Sequence, residues 1–393
     1  MDKAFKVIYG TTPATAKQLD AIEEIIVDQE IGKAWEARIK IAVCISEDGV
    51  WEGETDAAYV AGARVRIETQ IGDGDFVPLI DGEIQRHEPD YNAVPGSSVR
   101  TLVVHDDTQK LHKEAGSDSY PGKTDSEIVK SIFDKAALGN PPVIDPITSA
   151  RPDTNAVINR QGTLMEMLRS IAARYQNYHA YVLPGPTAGT SIGCFKKLPE
   201  NPDSGLLAMF LTGSDQNISG FNIQENAARA TKVVGSHLSM SDKKVTTVTA
   251  GPADTKPPTG ESSTSDASAV FRTRRLPPGI GDHTGLQEAA TGAANESAFT
   301  LRGEGSVIPT CYGAVLSPYK MVFASVSNSR YSTNYVIYKV VHTIGISEYT
   351  QQFTVIGNAV LPEESPSASA PAAAAAAVAG AAAVSFNIQV DIF

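Results

Sequence analysis

Apolar residues alternate with polar ones along two long parts of the chain, from about Ile22 to His105 and from about Leu206 to Ile356. The segment from Ala37 to Ile45 shows the pattern clearly, because every second residue there is apolar (Ile39, Ile41, Val43 and Ile45). A period of two is typical of a strand with one buried face. The pattern therefore predicts two β-rich regions, with Ile45 on the buried face of its strand.

A β-hairpin is predicted from Ala63 to Gln85. Its first strand alternates apolar and polar residues up to Ile71, the turn Gly72-Asp73-Gly74-Asp75 follows, and its second strand begins at Phe76. Gly and Asp at this place favour a tight reversal of the chain. A further strand is predicted from Val99 to Val104. Several short strands with closely spaced turns predict a small antiparallel barrel or sandwich.

Between the two β-rich regions the apolar spacing becomes helical. Thr124-Asp125-Ser126-Glu127 has the pattern of a capping box that opens a helix, with a stop predicted at Gly139. Thr163-Leu164-Met165-Glu166 opens a second helix in the same way, and a strand is predicted from His179 to Leu183. This insert is predicted to be a small α/β domain. The apolar helix faces are Ile128, Val129, Ile132, Phe133 and Ala136 in the first, and Leu164, Met167, Leu168, Ile171 and Tyr175 in the second.

The chain is thus predicted to be mainly β, with two related β-barrel domains and an α/β insert. The predicted bounds are residues 1–105 for the first barrel, 106–190 for the insert and 191–360 for the second barrel. Within the second barrel, Pro252 to Ser268 is rich in Ser, Thr, Pro, Gly and Asp, which predicts a loop. A helix of small residues is predicted from Leu286 to Ser297, and strands from Tyr335 to Val341 and from Gln352 to Ile356.

Residues 361–393 are predicted to be a linker followed by one strand. The Ser-, Pro- and Ala-rich tract from Glu363 to Ala383 has a composition that cannot build a core. A strand beyond such a linker finds no partner inside it, so it is predicted to add to another sheet edge, its own or a neighbour's. The predicted partner-binding residues are the apolar ones of this strand, Phe386, Ile388, Val390 and Ile392.

Charge and composition exclude several classes of protein. The chain has 33 basic and 45 acidic side chains, a formal net charge of −12. This charge disfavours non-specific binding to nucleic acid or to an anionic membrane, both of which need a basic surface. Cys44, Cys194 and Cys311 are far apart, so neither a disulfide framework nor a zinc site is predicted. No secretory signal and no membrane span is predicted, and we expect a soluble protein made in the cytoplasm.

Two clusters in the first β-rich region have side chains suited to chemistry. His105-Asp106-Asp107 with His112 resembles a metal site, but adjacent residues of a strand point to opposite faces, which favours a solvated strand end. Glu83, Glu88 and Asp90 near His87 resemble the paired carboxylates of a hydrolase. Nothing in the sequence places them in a cleft, so a charged turn is the simpler interpretation.

Two further features lie in the second β-rich region. His342 lies inside a strand-like stretch, where a lone histidine is typically structural. Arg272, Arg274 and Arg275 form a small basic cluster, which is either a weak nucleic-acid signal or an anchor for an acidic neighbouring subunit. The chain contains no phosphate-binding loop, nucleophile elbow, metalloprotease motif or dinucleotide fingerprint. No catalytic residue, cofactor or metal ligand is therefore predicted.

Several segments, taken in order, resemble the motifs of one protein family. They are Leu79-Ile80-Asp81-Gly82-Glu83-Ile84, Thr101 to Leu111, the helix from Thr124, Asn159-Arg160-Gln161 leading into Leu164 to Tyr175, and Tyr335 to His342 followed by Tyr349 to Gly357. The chain resembles the late control protein D family of contractile-tail phages and the N-terminal half of the type VI secretion spike protein. The resemblance covers about Ile22 to Asn358, with isoleucine in place of the family's valine at Ile84 and Ile337.

The resemblance implies a homotrimer in which three chains with two barrels each present six similar modules around a channel, a hub-like trimer with pseudo-sixfold symmetry. The expected function is a structural, non-enzymatic baseplate hub that joins a six-fold tail tube to a three-fold spike. The expected partners are a second copy, the tube protein, the spike protein and other baseplate proteins, in a phage tail baseplate or injection particle. A tail-associated cell-wall hydrolase acting through Glu83 or Glu88, and a cargo adaptor using the loop from Pro252 to Ser268, are the alternatives.

Overall fold

The computed structural model describes residues 3–47, 49–54, 56–94, 96–147, 157–159, 162–238, 243–251, 259–260, 262–263, 272–276, 283–345 and 348–361. The first part of the chain contains β1 Lys3–Tyr9, β2 Thr12–Pro13, α1 Ala16–Asp20, β3 Ile22–Glu30, β4 Glu36–Ala42, a 3-10 turn Ala57–Tyr59, β5 Arg64–Ile71, β6 Val77–Asp90 and β7 Val99–Asp106.

The part that follows, which we call the first insert, contains α2 Thr108–His112, β8 Ala115–Gly116, β9 Ser119–Pro121, α3 Asp125–Ala136, β10 Val143–Ile144, β11 Val157–Asn159, β12 Gly162–Thr163, α4 Leu164–Ala172, β13 Tyr178–Pro184 and β14 Ser191–Lys197. The last part contains β15 Met209–Phe210, β16 Ile218–Glu225, a 3-10 turn Ala227–Arg229, β17 Thr231–Leu238, β18 Val245–Ala250, β19 Ser262–Ser263, β20 Arg272–Arg275, α5 His283–Ser297, β21 Leu301–Val307, β22 Met321–Ser325, β23 Thr333–Gly345, β24 Tyr349–Gly357 and β25 Ala359–Val360.

The two β-rich regions form one continuous, curled sheet. Along it the strands follow the order β16-β21-β24-β23-β3-β4-β7-β6-β5-β1-β2, with β22 pairing with β23 and β15 pairing with β22. We call β1 and β3 to β7 the first block, and β15, β16 and β21 to β24 the second block. The predicted fold class is confirmed, since the chain is mainly β with two related barrel-like blocks and an α/β insert. The pairing of β23 with β3 additionally joins the two blocks.

Alternating apolar residues of the sheet build two cores. In β4, Ala37, Ile39 and Ile41 are buried and pack with the inner faces of the first block. The second block has its own core around Val322, Tyr335 and Val355. The hairpin predicted from Ala63 to Gln85 is present as β5 and β6. The prediction for Ile45 was wrong, because the strand ends at Ala42 and Ile45 lies 57% exposed in the following loop.

The first insert begins its two main helices as predicted. The Thr124 hydroxyl accepts from the Glu127 amide, and the Glu127 carboxylate accepts from the Thr124 amide at 2.8 Å. Thr163 and Glu166 make the same reciprocal pair at α4. Helix α3 ends at Ala136 and not at Gly139, because Ala137 already adopts the left-handed conformation (φ 50°). The sheet of the insert has the order β10-β14-β13, so its strand Ser191–Lys197 lies past residue 190.

A second insert lies between β16 and β21. Its sheet has the order β18-β17-β20 and packs against α5 through Val233, Val248, Leu286 and Ala290. The helix predicted from Leu286 to Ser297 is present within α5.

Candidate assembly surface

The two blocks repeat the same strand order. Reading from the block edge, the first block is β3-β4-β7-β6-β5-β1 and the second is β16-β21-β24-β23-β22-β15. When the strands of each block are ranked by their place in the chain, both orders are second, third, sixth, fifth, fourth, first. All neighbouring pairs are antiparallel in both blocks except the short pair of β15 with β22, which is parallel.

The repeat extends to irregularities of the strands. The ladder of β3 with β4 shifts register between Ile22 and Glu24, and the ladder of β16 with β21 shifts between Ile218 and Gly220. Counted along these ladders, Ile22 corresponds to Ile218. The ladder of β6 with β7 shifts between residues 84 and 86, and that of β23 with β24 shifts between residues 337 and 339. A bulge bends a strand locally, so matching bulges mean that the two blocks bend at matching places.

One ladder, which we call the seam, joins the blocks. The second half of β23, from Lys339 to Gly345, pairs antiparallel with β3 from Glu30 back to Glu24. At one end of the seam the Lys339 ammonium lies 2.6 Å from the Asp28 carboxylate. The first half of β23 pairs with β22 on the same side. The first half of the long strand β23 therefore pairs within the second block, and its second half pairs with the first block.

His342 lies in the seam and is fully buried. The Gln29 side-chain amide donates to the Leu79 carbonyl at 2.7 Å, so the Gln29 side-chain oxygen faces the histidine. His342 Nε2 therefore carries the proton that it donates to Gln29 Oε1 at 3.2 Å, and Nδ1 accepts from the Tyr349 hydroxyl at 2.7 Å. Burial lowers the pKa of His342 to about 3, so the ring is neutral. The predicted structural role of this histidine agrees with these contacts.

Each side of the seam has a counterpart in the other block. Among the described residues, each counterpart pairs with a strand on one side only and leaves its other side open. β16 corresponds to β3 and is the terminal strand of the large sheet. Arg86 to Asp90 of β6 corresponds to the seam half of β23 and pairs with β7 on one side, while β5 pairs only as far as Glu83. These two edges, which we call the β16 edge and the β6 edge, form the candidate assembly surface.

Both inserts leave the sheet from the same end. β7 runs into the first insert after Asp106, and β16 runs into the second insert after Glu225. The inserts lie close together, because a Cβ built on Gly292 of α5 would be 3.2 Å from the Tyr175 carbonyl oxygen. We call this the insert end. The opposite end carries connections between strands, among them those from β6 to β7 and from β23 to β24 and the short helix α1 that leads into β3, and we call it the loop end.

A buried ionic network fixes the first insert to the first block. Arg64 forms two parallel hydrogen bonds to Asp107, at 2.9 and 2.8 Å, and a third to Asp81 at 2.9 Å. Asp107 also accepts from the Ser191 hydroxyl of the insert at 2.8 Å. Burial would raise the pKa of Asp107, but its hydrogen bonds to Arg64 hold it below the usual value. Lys110 also pairs with Asp107 at 3.1 Å, but removing Arg64 would take away the bidentate partner of a buried carboxylate.

An aromatic contact fixes the insert to the second block. The rings of Tyr181 and Tyr319 are stacked, with centroids 3.6 Å apart and planes 7° apart. The Tyr319 hydroxyl accepts from the Gly32 amide at 2.9 Å, in the turn between β3 and β4. The insert therefore contacts both sides of the seam.

The structure separates the residues of the metal-like cluster, His105, Asp106, Asp107 and His112. Their favoured interpretation as a solvated strand end was wrong for Asp106 and Asp107, which are both buried at the joint with the first insert. Asp106 is buried and accepts from the hydroxyl and amide of Thr108, and burial raises its pKa to about 7. His105 lies on the other face of β7 and contacts Glu36. Among the described residues, no group of three or more His, Cys, Asp or Glu side chains is arranged to hold a metal ion.

The carboxylates proposed for a hydrolase lie along one open strand face. Glu88 forms ion pairs with Arg38 and Arg86, and Asp90 is exposed at the end of β6. Glu83 is half-buried and lies opposite Arg64 in the backbone register of the β5–β6 ladder. His87 is half-buried, and burial lowers its pKa. Glu88 is thus occupied by two guanidinium groups.

The basic cluster Arg272, Arg274 and Arg275 forms the exposed strand β20, at the edge of the second insert. The described parts of the predicted loop from Pro252 to Ser268 are Thr259 to Gly260 and Ser262 to Ser263. Thr259 is buried and hydrogen-bonds Asn358, and β19 pairs with β25. The other residues of that range lie outside the described part. So do Phe386, Ile388, Val390 and Ile392, and their predicted partner-binding role stays a prediction. No described helix has the length and apolarity to cross a membrane.

Comparison with solved structures identifies the fold. The 43 kDa tail protein of prophage MuSo2 from Shewanella oneidensis superposes with a TM-score of 0.60 at 12% identity, over 90% of this chain and 98% of that chain. A tail protein of Neisseria meningitidis MC58 gives 0.61 at 14% identity, over 91% and 97%. The chain has the fold of these phage tail proteins. No protein-family model and no curated protein matches the sequence.

A type VI secretion component shares the fold more distantly. The E. coli c3393 protein, described as similar in structure to the T4 tail proteins gp27 and gp5, gives a TM-score of 0.50 at 9% identity, over 89% of this chain and 76% of that chain. At such identities the likeness concerns the fold alone.

The sequence analysis did not identify the seam or the two edges. The corresponding residues of β3 and β16 are Ile25 and Phe221, then Ile26 and Asn222, then Val27 and Ile223, so only the apolar alternation is shared. The unusual length of β6 and β23, 14 and 13 residues, is the one signal that marks strands able to serve two partners.

Proposed function

We propose that the chain is the structural hub of a phage tail baseplate or related injection particle. It assembles as a homotrimer and adapts the six-fold symmetry of a tail tube to the three-fold symmetry of a spike. The observation that carries the proposal is the repeat of one strand order in two blocks of a single sheet, in a chain with the fold of phage tail proteins. Three such chains carry six similar blocks.

The ends of the sheet suggest which partner each face receives. Both inserts leave from the insert end and they differ from each other, so that end repeats only once per chain. At the loop end each block presents inter-strand connections, which in the first block include the short helix α1. A six-fold tube ring therefore fits the loop end, and a three-fold spike fits the insert end. Other baseplate proteins then bind the outer surface.

The test is the mass of the full-length protein in solution by light scattering, alone and with the tube and spike proteins of the same particle. We expect a mass three times that of the 41.6 kDa chain, alone or once a partner is added. Electron microscopy of the trimer along its axis should show six similar lobes. A monomer under all these conditions would contradict the proposal.

The terminal segment has its own place in this proposal. Phe386, Ile388, Val390 and Ile392 add as a strand to the spike protein or to a neighbouring copy. The described chain ends at Leu361, on the insert end of the sheet, where the Leu361 amide donates to the Arg330 carbonyl. Deletion of 363–393 is expected to leave trimers that fail to retain the spike in a pull-down. Spike retention at the level of the full chain would contradict this role.

A further inference from the structure

The seam inside the chain shows how a strand edge of one block pairs with a strand edge of the other block. Its two sides are the second half of β23 and the strand β3. Their counterparts in the other block are the β6 edge, Arg86 to Asp90, and the β16 edge. Within one chain β16 is the first and β6 the eighth strand along the order of the large sheet, and among the described residues the two edges do not pair with each other.

We propose that the β16 edge of one copy pairs antiparallel with the β6 edge of the next copy, and so repeats the seam between chains. This inference rests on the proposed homotrimer and names the surface that closes it. The bulges fix the register, because the shift after Ile84 in β6 corresponds to the shift after Ile337 in β23. The resulting pairs are Arg86 with Asn226, His87 with Glu225, Glu88 with Gln224, Pro89 with Ile223 and Asp90 with Asn222.

The side chains facing inward fit this register. In the seam the buried pairs His342 with Val27 and Ile344 with Ile25 face the core. Pro89 opposite Ile223 takes the place of the first of these pairs. The next inward position brings Tyr91, which is 44% exposed, opposite Phe221. Both are apolar pairs that the isolated chain leaves partly exposed, so pairing removes apolar surface from water.

The side chains facing outward also fit. Glu88 and Asp90 lie opposite the amides Gln224 and Asn222, so no two like charges face each other, an arrangement that would be destabilising. Arg86, which is 58% exposed, lies opposite Asn226 at the position that Lys339 holds in the seam. Proline and charged side chains at an edge disfavour pairing with unrelated strands. The β6 edge is therefore selective for a strand that matches it.

Such a contact closes a ring. It joins two different surfaces, and a heterologous contact of this kind forms a ring when its rotation closes. In a ring of three copies, the seam within each chain alternates with the contact between chains. Six similar ladders then connect six similar blocks.

The terminal segment is the rival occupant of the β6 edge. Phe386-Asn387-Ile388-Gln389 repeats the Phe221-Asn222-Ile223-Gln224 sequence of β16. The two sequence segments therefore carry the same four side chains in the same order. We assign the edge to β16, because its bulge and its place in the second block match those of β3.

Disulfide cross-linking tests the register in the full chain with Cys44→Ser and Cys311→Ser, which removes the exposed thiols. Residues directly opposite in an antiparallel ladder have Cα atoms about 4.5–5.5 Å apart, a separation that a disulfide spans, whereas diagonal ones are about 7–8 Å apart. Asp90→Cys with Asn222→Cys is expected to give covalent dimers and closed trimers on non-reducing gels. Asp90→Cys with Gln224→Cys, two residues out of register and therefore on the same face, should stay largely monomeric. The proposed register would be overturned if both cysteine pairs cross-linked to the same extent, or if neither pair cross-linked.

A surface variant tests the edge itself. Pro89 is exposed in the single chain and becomes buried in the contact, so Pro89→Lys should raise the concentration for half-assembly about tenfold or more. Val77→Lys is the matched control, because Val77 is 40% exposed on the same strand outside the edge. A trimer equally stable in both variants would overturn the contact while leaving the hub intact. A protein that never forms trimers would overturn the hub as well.

The same mass measurement excludes or selects the rival occupant. A chain lacking 362–393 is expected to form trimers with unchanged half-assembly concentration. If this deletion abolished trimers, and Pro89→Lys weakened trimer formation to the same extent, the β6 edge would be assigned to the terminal segment and the assignment to β16 would be overturned.

Discussion

The neutral histidine of the seam makes the stability of the sheet depend on pH in a defined window. The pKa of His342 is lowered from 6.5 to about 3 by burial. Above pH 6.5 the ring is neutral in both the folded and unfolded chain, so the seam contributes fully. As pH falls below 6.5 the unfolded chain binds a proton that the folded chain excludes, and stability decreases until about pH 3. At pH 5 this linkage amounts to about 2 kcal/mol.

The perturbation is His342→Gln, which removes the titrating ring and retains one hydrogen-bonding group. At pH 8 the variant should lose about 1–3 kcal/mol, because the Tyr349 and Gln29 contacts weaken. At pH 5 the gap to the native chain should shrink by about 2 kcal/mol, since only the native chain loses stability through this group. Guanidinium unfolding at both pH values, with His237→Gln as a half-exposed control, measures this. A gap of the same size at pH 5 and pH 8 would refute the buried, neutral histidine.

Three further predictions concern the first block and its joint to the insert. Asp106, with a pKa raised from 3.8 to about 7, stays protonated in the folded chain where the unfolded chain ionises, so stability falls from pH 3.8 to 7. Asp106→Asn removes this pH dependence. The free energy of unfolding of the variant, measured relative to the native chain, should therefore be higher at pH 8 than at pH 4 by up to about 4 kcal/mol, and the same difference at both pH values would contradict the raised pKa of Asp106. Gly82→Ala would place a Cβ 1.9 Å from the His105 carbonyl oxygen, so thermal unfolding should show a loss of about 3 kcal/mol or more, against little change for Gly220→Ala, which has open space. Arg64→Met should cost about 3 kcal/mol in the same assay, because the buried Asp107 loses its bidentate partner and keeps only Lys110 at 3.1 Å and the Ser191 hydroxyl, and a loss below 1 kcal/mol would speak against the network.

The sequence predicted what depends on local pattern. The caps at Thr124 and Thr163 were predictable, because the side chain and the amide that it binds are three residues apart. The hairpin from Ala63 to Gln85 was predictable from alternation and a turn. The burial of Ile45 was not predictable, since the alternation of the sequence continues to Ile45 although the strand ends at Ala42. The motif glycine Gly82 stood out in the sequence, but its reason, the close approach of β7, is visible only in the structure.

The seam could not be predicted, because it depends on partners more than 300 residues apart, such as His342 and Gln29. Alternation identifies the buried face of a strand but not its neighbours, and a strand with two halves looks like one long strand. The repeat of bulges matters here, because a bulge sets both the bend and the register of a strand. Two blocks that bend alike present edges alike, so a ladder that forms once within the chain has a geometry available for a second contact. The same argument connects the proposed ring to the strand order, since a chain built from two unlike blocks would offer no such second contact.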